Sequence, residues 1–458
     1  MMPPHIGKTG GESSVRQSND GMLGAMPVPR LVVTMSLPIM LSMLISAVYN
    51  LVDSVYVAQY SDEAFLALSY AYPIQMLLVA FCSGIGVGFS AIFSRRLGEG
   101  DQEQAASAVC HGFFLYGLCW LLFLLFALTG ASPFLRLSTE DPSVARQGAQ
   151  YLLICCGLSI GTCMQFLTER ILQAMGRPAG FMIVQGSGAI LNLILDPIFI
   201  FVLDLGVAGA AAATVIGQIS GALIGFWLVY RLRRQLPIRL RGFRPRGEML
   251  AEMGRVAAPA VVMQSLSSFM SLGLNQLLTR WSESAVFVLG AYFKLQTFIF
   301  MPIFGISSGL IPILSYNYGS GALRRVSASV RFGQQFTAVL SLSGALLLSL
   351  LASPLLRSAF RASPEALAMG APALRIIALS FFFAGTSIIF CSAFQSLGRS
   401  RWSLLVALLR QILLLLPAAA LLLALKPALV WAAFPLSELI SCFAAALLYR
   451  RTIQKQLL

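Results

Sequence analysis

Three carboxylates, Asp53, Asp196 and Glu438, stand deep inside long apolar runs, while the rest of the chain's 18 acidic residues fall in polar loops, tails or the ends of such runs. A carboxylate in hydrocarbon costs a few kcal/mol and marks an ion, proton or substrate site by default. The residues around two of them strengthen that reading. Asn192 precedes Asp196 by four positions, on the same face of a helix, and Asn50 precedes Asp53 by three. Asp53 lies eight residues before Ser61, Asp196 eight before Asp204, and Thr214 eight after Gly206. A helical rise of 1.5 Å per residue then sets all three roughly 12 Å below one surface. Two neighbouring carboxylates in a low-dielectric site cannot both stay ionised without a large penalty, so one should hold a proton near neutral pH. A hard cation such as Na+ on the oxygens of Asp53, Asn192, Asp196 and Thr214 would neutralise the group equally well. The competing structural reading is a carboxylate that caps a kink, because Pro197 follows Asp196 directly.

The second half carries a different polar set. Lys294 and Glu438 fall at similar depth, which suggests a buried ion pair, with Arg410 deeper and Arg375 snorkelling to the surface. Lys294, Glu438 and Arg410, with Gln264 and Asn275, are the candidate substrate-cavity or C-lobe polar residues. Other chemistry lacks its residues. There is no G-x-x-x-x-G-K-[ST] phosphate loop. The only two histidines, His5 and His111, do not make a histidine metal site or a general acid–base pair. The eight cysteines, Cys82, Cys110, Cys119, Cys155, Cys156, Cys163, Cys391 and Cys442, sit in apolar runs without metal-ligand spacing and read as small buried hydrophobes. An enzyme acting on lipids would need reactive groups near an interface, and Glu169-Arg170 is the sole candidate. No cofactor is expected beyond H+ or Na+ as a coupling ion.

The elements that must hold these residues follow from composition. Charged residues make up 11% of the 458 and hydrophobic ones 57%, with a mean hydropathy of +0.80; a soluble domain carries about 25% charged residues. Twelve apolar segments predict an all-α integral membrane protein: 31–60, 64–94, 105–130, 144–169, 178–203, 206–230, 256–279, 285–315, 326–353, 366–393, 402–425 and 428–449, taken as spans 1 to 12. With the N-terminus inside, the inner loops hold 23 of the 32 Lys and Arg and the outer loops six, which satisfies the positive-inside rule and places both termini in the cytoplasm of a plasma or inner-membrane protein. The net charge of +14 is therefore a topology signal and not a nucleic-acid surface. The expected divisions are a polar tail (1–28), a six-span N-lobe (29–232), a basic linker (233–254), a six-span C-lobe (255–450) and a short tail (451–458). The chain is expected to work as a monomer in the lipid bilayer.

The halves repeat. Gly84, Gly88, Ser94, Gly98 and Gly100 recur as Gly305, Gly309, Ser315, Gly319 and Gly321, and Gln173-Ala174-Met175-Gly176-Arg177 recurs as Gln395-Ser396-Leu397-Gly398-Arg399, at offsets of 221 and 222. Six spans per half make the repeats parallel, an architecture of secondary transporters with the substrate site between the repeats.

At this point the chain resembles the multidrug and toxic compound extrusion (MATE) family over 29–452. The carriers are Pro38 with Asn50-Leu51-Val52-Asp53, Gly98-Glu99-Gly100, Arg170 with Gln173-Ala174-Met175-Gly176, and Asn192-Leu193-Ile194-Leu195-Asp196-Pro197. In the second half they are Pro302, Gly305, Ser315-Tyr316-Asn317-Tyr318-Gly319, Gln395-Ser396-Leu397-Gly398, and Arg410-Gln411 with Pro417. The resemblance implies two six-helix lobes and H+- or Na+-driven export of organic, cationic amphiphilic compounds by alternating access. It also implies an N-lobe cation site at Asp53, Asn192, Asp196 and Thr214. Span 7 carries no acid, which argues against a C-lobe cation site. The alternative is a flippase for lipid-linked cell-wall precursors, against which stand the twelve spans and the few inward cations.

Overall fold

The computed structural model describes residues 22–232, 243–360 and 362–454, so the tail 1–21, linker residues 233–242, Arg361 and 455–458 lie outside it, as does the side chain of Asn50. The described residues form helices without a strand. Ten helices are long and apolar enough to cross a membrane, and two further pairs, Pro142–Gly157 with Ile160–Ala174 and Pro364–Ala378 with Phe381–Ser396, are each bent by 43°. Counting each bent pair as one span makes twelve, the expected number. In the N-lobe the helices are Val28–Tyr60, Asp62–Gly98, Gln102–Thr129, the first bent pair, Pro178–Val202 and Gly206–Arg231. In the C-lobe they are Gly247–Thr279, Glu283–Gly319, Leu323–Ser358, the second bent pair, Ser400–Leu425 and Pro427–Thr452. Span 7 thus begins within the stretch expected as linker. Large leucines left exposed along spans 3 and 9, such as Leu122, Leu125, Leu346 and Leu350, fit a lipid solvent that rewards apolar surface.

The repeat seen in the sequence is an interface in space. Gly84 and Gly88 of span 2 admit Val261 and Ala257 of span 7, while Gly305 and Gly309 of span 8 admit Met40 and Ser36 of span 1. Gly98 lies against the carbonyl of Tyr316, and Gly319 against the carbonyl of Arg95. Each contact maps onto its partner by the same 221-residue offset, so the lobes meet as two copies of a two-fold interface do, each residue facing its partner's equivalent. Small residues are required because close van der Waals packing, not a hydrophobic drive, joins helices in lipid. The end of spans 2 and 8 next to the basic loops is closed further by Arg96, which donates to Glu252 across the lobe boundary at 2.8 Å. Four equivalent helix ends close through a glycine in the left-handed region, Gly100, Gly176, Gly321 and Gly398, with φ of 71–77°, where glycine escapes the Cβ penalty.

The first helix does not belong wholly to its own lobe. Leu31, Val32, Met35 and Met40 join a core with Ile306, Leu310 and Ile313 of span 8, and Leu23 packs there too. Asn317 and Arg325 donate to the Leu23 carbonyl, and Arg325 also to that of Met26.

Inside the C-lobe the expected Lys294–Glu438 pairing is corrected. Lys294 is exposed, and Glu438 instead accepts from Arg410 at 2.8 and 3.1 Å, with both side chains 13% exposed. Arg410 reaches span 12 from a π-helical turn, Leu409–Leu413, whose extra residue re-aims the side chains of span 11. Arg375 donates to the Ser349 carbonyl at the exposed surface, as a snorkelling residue would.

Two outcomes are expected from this packing. Gly319→Val should overpack the lobe boundary by about 1–3 kcal/mol, lowering the melting temperature in detergent and opening the Arg95–Tyr316 region to thiol reagents at an engineered cysteine. Glu438→Met should leave Arg410 buried and unpaired and destabilise the protein by about 3–5 kcal/mol, whereas Arg410→Leu with Glu438→Met together should recover most of the loss; thermal unfolding of the wild type and the two variants checks this.

Candidate functional site

The N-lobe acids come together where spans 1, 5 and 6 meet. Spans 5 and 6 approach through glycine: a Cβ on Gly188 would lie 2.9 Å from the Gly217 carbonyl, and one on Gly217 would lie 2.7 Å from that of Gly188. Asn192 is one turn beyond Gly188 and Thr214 one turn before Gly217 in sequence, so this close approach delivers one to the other. Gly217, Gly221 and Gly225, spaced by four, continue the small-residue face of span 6 against Val184, Gln165 and Thr168.

Asn192 Nδ2 donates to Asp196 Oδ1 at 3.1 Å and to Thr214 Oγ1 at 3.3 Å. Asn192 and Asp196 are 2% and 0% exposed, Thr214 is buried, and Asp53 is half-buried on span 1. The carboxyls of Asp53 and Asp196 stand close enough to act on each other electrostatically. The structure therefore brings together four of the five residues expected at one depth, and the fifth, Asn50, has its side chain outside the described part. Asp196 does not cap the turn at Pro197, since its bond comes from an amide side chain and the helix runs on as a π-helical turn, Ile198–Val202.

The arrangement is rich in acceptors. Asp53 Oδ1, Asp196 Oδ2 and Asn192 Oδ1 are all buried without a hydrogen-bond partner among the described residues. A buried acceptor left unmade costs about 1–3 kcal/mol, and more when charged. What such a group lacks is positive charge or a donor, which a proton between the carboxyls or a small hard cation on the oxygens supplies. The oxygen-only donor set suits H+ or Na+ and does not suit soft metals.

Three residues beside the site were not among the sequence candidates. Tyr49 and Tyr151, with Cys155, lie close enough to sense the Asp53 charge. Tyr49 stands four positions before Asp53, a helical neighbour the sequence does display. Tyr151, on the first half of span 4, has no sequence signal tying it to span 1.

The remaining candidates scatter. Arg410 and Glu438 satisfy each other in the C-lobe, and Glu438 keeps one buried oxygen unpartnered. Gln264 of span 7 is exposed and donates to Ser83 of span 2 at 3.1 Å, across the lobe boundary. Asn275 is half-buried on span 7 and Lys294 exposed on span 8. Glu169 and Arg170 are buried and occupied: Glu169 accepts from Gln165, Arg170 donates to Gln173, and Gln173 donates to the Ser308 carbonyl of the other lobe. Both are engaged along their own helix, and only Gln173 carries the link to the other lobe.

Comparison with known proteins agrees with this architecture. The chain is 26% identical to the multidrug export protein MepA of Staphylococcus aureus (strain MRSA252) over 402 residues, 85% of this chain and 86% of that protein. It is 26% identical over 414 residues to a protein named FAD transporter from Shewanella oneidensis, covering 88% of this chain and 89% of that one. Its fold matches a multidrug resistance MATE family transporter of the MOP superfamily in an outward-facing conformation, with a TM-score of 0.89, 23% identity and coverage of 95% and 97% of the two chains. It also matches a MOP superfamily transporter from Pyrococcus furiosus whose binding pocket is described as reversed in polarity, with a TM-score of 0.87, 23% identity and coverage of 94% and 97%. The MatE family model matches residues 38–198 and 259–421, one stretch in each lobe, and the chain belongs to this family of membrane transporters.

Proposed function

We propose that this protein exports organic compounds, chiefly cationic amphiphiles, in exchange for H+ or Na+ bound at Asp53, Asn192, Asp196 and Thr214. The observation that carries the reading is the set of three unpartnered buried oxygens, on Asp53, Asp196 and Asn192, around two adjoining carboxyls. Without a proton or cation the two carboxylates repel, and span 1 is pushed from span 5. With one bound, the oxygens draw together and the helices close.

Span 1 is placed to carry that movement to the lobe boundary. Its Asp53 end sits in the N-lobe site, while Ser36 and Met40 pack on Gly309 and Gly305 of span 8. Pro38 lies within the packed part, between Ser36 and Met40, and a proline in a helix interior removes one backbone bond and permits a bend. Binding at the site would thus alter how span 1 seats on the C-lobe, and with it the side on which the substrate path opens. The basic loops, held on the cytoplasmic side, orient the whole. The names of the relatives, one a multidrug export protein and one an FAD transporter, support an organic cargo.

The test is efflux from proteoliposomes under separately imposed Na+ and pH gradients, with an organic cation and with a flavin nucleotide as cargo. Asp53→Asn and Asp196→Asn should each reduce ion-driven efflux at least about tenfold, more than 1.4 kcal/mol of coupling. Undiminished coupled efflux in both variants would sink the reading. Thr214→Val separates the ions: it removes a Na+ ligand but no proton acceptor, so it should weaken Na+-driven efflux if Na+ is the coupling ion, and leave pH-driven efflux unchanged if H+ is.

A further inference from the structure

Cys82, Cys119 and Cys163 are 37 and 44 residues apart in sequence, without any local motif, yet their three sulfurs lie within 4.8 Å of one another in the N-lobe. They come from spans 2, 3 and 4. All three are buried, at 0%, 4% and 0% exposure, and the Cys82 and Cys163 sulfurs are 3.7 Å apart. Ordinary buried cysteines find other company, as Cys391 does with the Ser403 carbonyl. A metal–thiolate bond of about 2.3 Å places two sulfurs on one centre about 3.4–4.0 Å apart, from pyramidal to trigonal geometry, a range that includes the Cys82–Cys163 distance of 3.7 Å. The cluster is thus preorganised to bind a single thiophilic centre.

The setting selects among such centres. Among the described residues the cluster offers three ligands and no fourth His, Asp or Glu, whereas structural zinc takes four. Three thiolates would leave Zn2+ with a net charge of −1 and Cu+ with −2, and an uncompensated charge buried in an apolar interior carries a penalty of several kcal/mol. A trivalent centre of the arsenic group with three thiolates is neutral. It also arrives as a small uncharged hydroxide, which can enter an apolar interior where a hydrated cation cannot.

We propose that Cys82, Cys119 and Cys163 bind trivalent arsenic or antimony as a neutral three-sulfur complex. The exchange balances without an oxidant or reductant: As(OH)3 and three thiols give As(S-Cys)3 and three waters. Each step breaks one As–O bond and forms one As–S bond, and each thiol proton leaves on the departing hydroxide. The product ties spans 2, 3 and 4 together, two residues from Gly84, where span 2 meets Val261 of span 7.

The experiment uses the reduced full-length protein in nanodiscs, equilibrated with arsenite and freed of excess. Bound arsenic is measured by elemental mass spectrometry, and its neighbours by X-ray absorption at the arsenic edge. One arsenic per chain with three sulfur neighbours and no oxygen is expected. Loss of an outer-shell partner already weakens a metal site by about 10–100-fold, so losing a bonded sulfur in Cys82→Ser, Cys119→Ser or Cys163→Ser should weaken it at least about 100-fold. Cys156→Ser, which breaks the adjacent Cys155-Cys156 pair, should change nothing. A centre with two sulfurs and one oxygen, or full binding in Cys119→Ser, overturns the proposal. Tighter binding of Zn2+ than of arsenite overturns the choice of ligand. The wild-type absorption spectrum decides the matter even if a serine variant misfolds, and neither readout depends on efflux.

Discussion

A carboxylate surrounded by apolar helices has to be neutralised, and the rest of the molecule is organised around meeting that demand in two ways. In the C-lobe it is met internally. Arg410 donates twice to Glu438, so the charge is matched by a fixed partner and the pair serves as a structural link between spans 11 and 12. In the N-lobe no basic side chain among the described residues pairs with Asp53 or Asp196. Asp196 accepts from the Asn192 amide and the two carboxyls act on each other electrostatically, and under the proposed function the missing positive charge comes from solution. One fold thus holds a closed ion pair and an open acid pair, and under the proposed function only the open one responds to an ion gradient.

That response needs helices that move as units against close, specific contacts. Glycine provides them at two scales. Within the N-lobe, Gly188 and Gly217 let spans 5 and 6 touch backbone to backbone and set Asn192 on Thr214. Between the lobes, Gly84, Gly88 and Gly98 and their repeats Gly305, Gly309 and Gly319 make one contact twice. A boundary built from two copies of one contact can rock about its axis, because a shift on one side is mirrored on the other. Span 1 crosses between the two systems, with its first turns packed in the C-lobe core and Asp53 in the N-lobe site.

Much of this was legible in the chain itself. Hydropathy placed the spans, although two of them hide a sharp bend at Gly157–Ile160 and Ala378–Phe381 that apolar composition does not record. The common depth of Asp53, Asp196 and Thr214 followed from counting residues along helices of fixed rise. The pairing of Glu438 did not follow, because depth favoured Lys294 over the deeper Arg410 while Arg410 is the side chain that faces Glu438. The π-helical turn at Leu409–Leu413 decides which of them faces span 12.

What the sequence alone determined is whatever depends on local arithmetic: apolar length, charge asymmetry, the 221-residue repeat, and the helical level of each buried acid. These survive because helix rise and bilayer thickness are constants. What only the tertiary structure decided is which residues at a given level share a face and a neighbour. Asp53 meeting Asp196, Arg410 claiming Glu438, and three distant cysteines converging all depend on helix rotation and crossing. Those are set by side-chain packing between elements far apart in the chain, and no spacing along one helix encodes them.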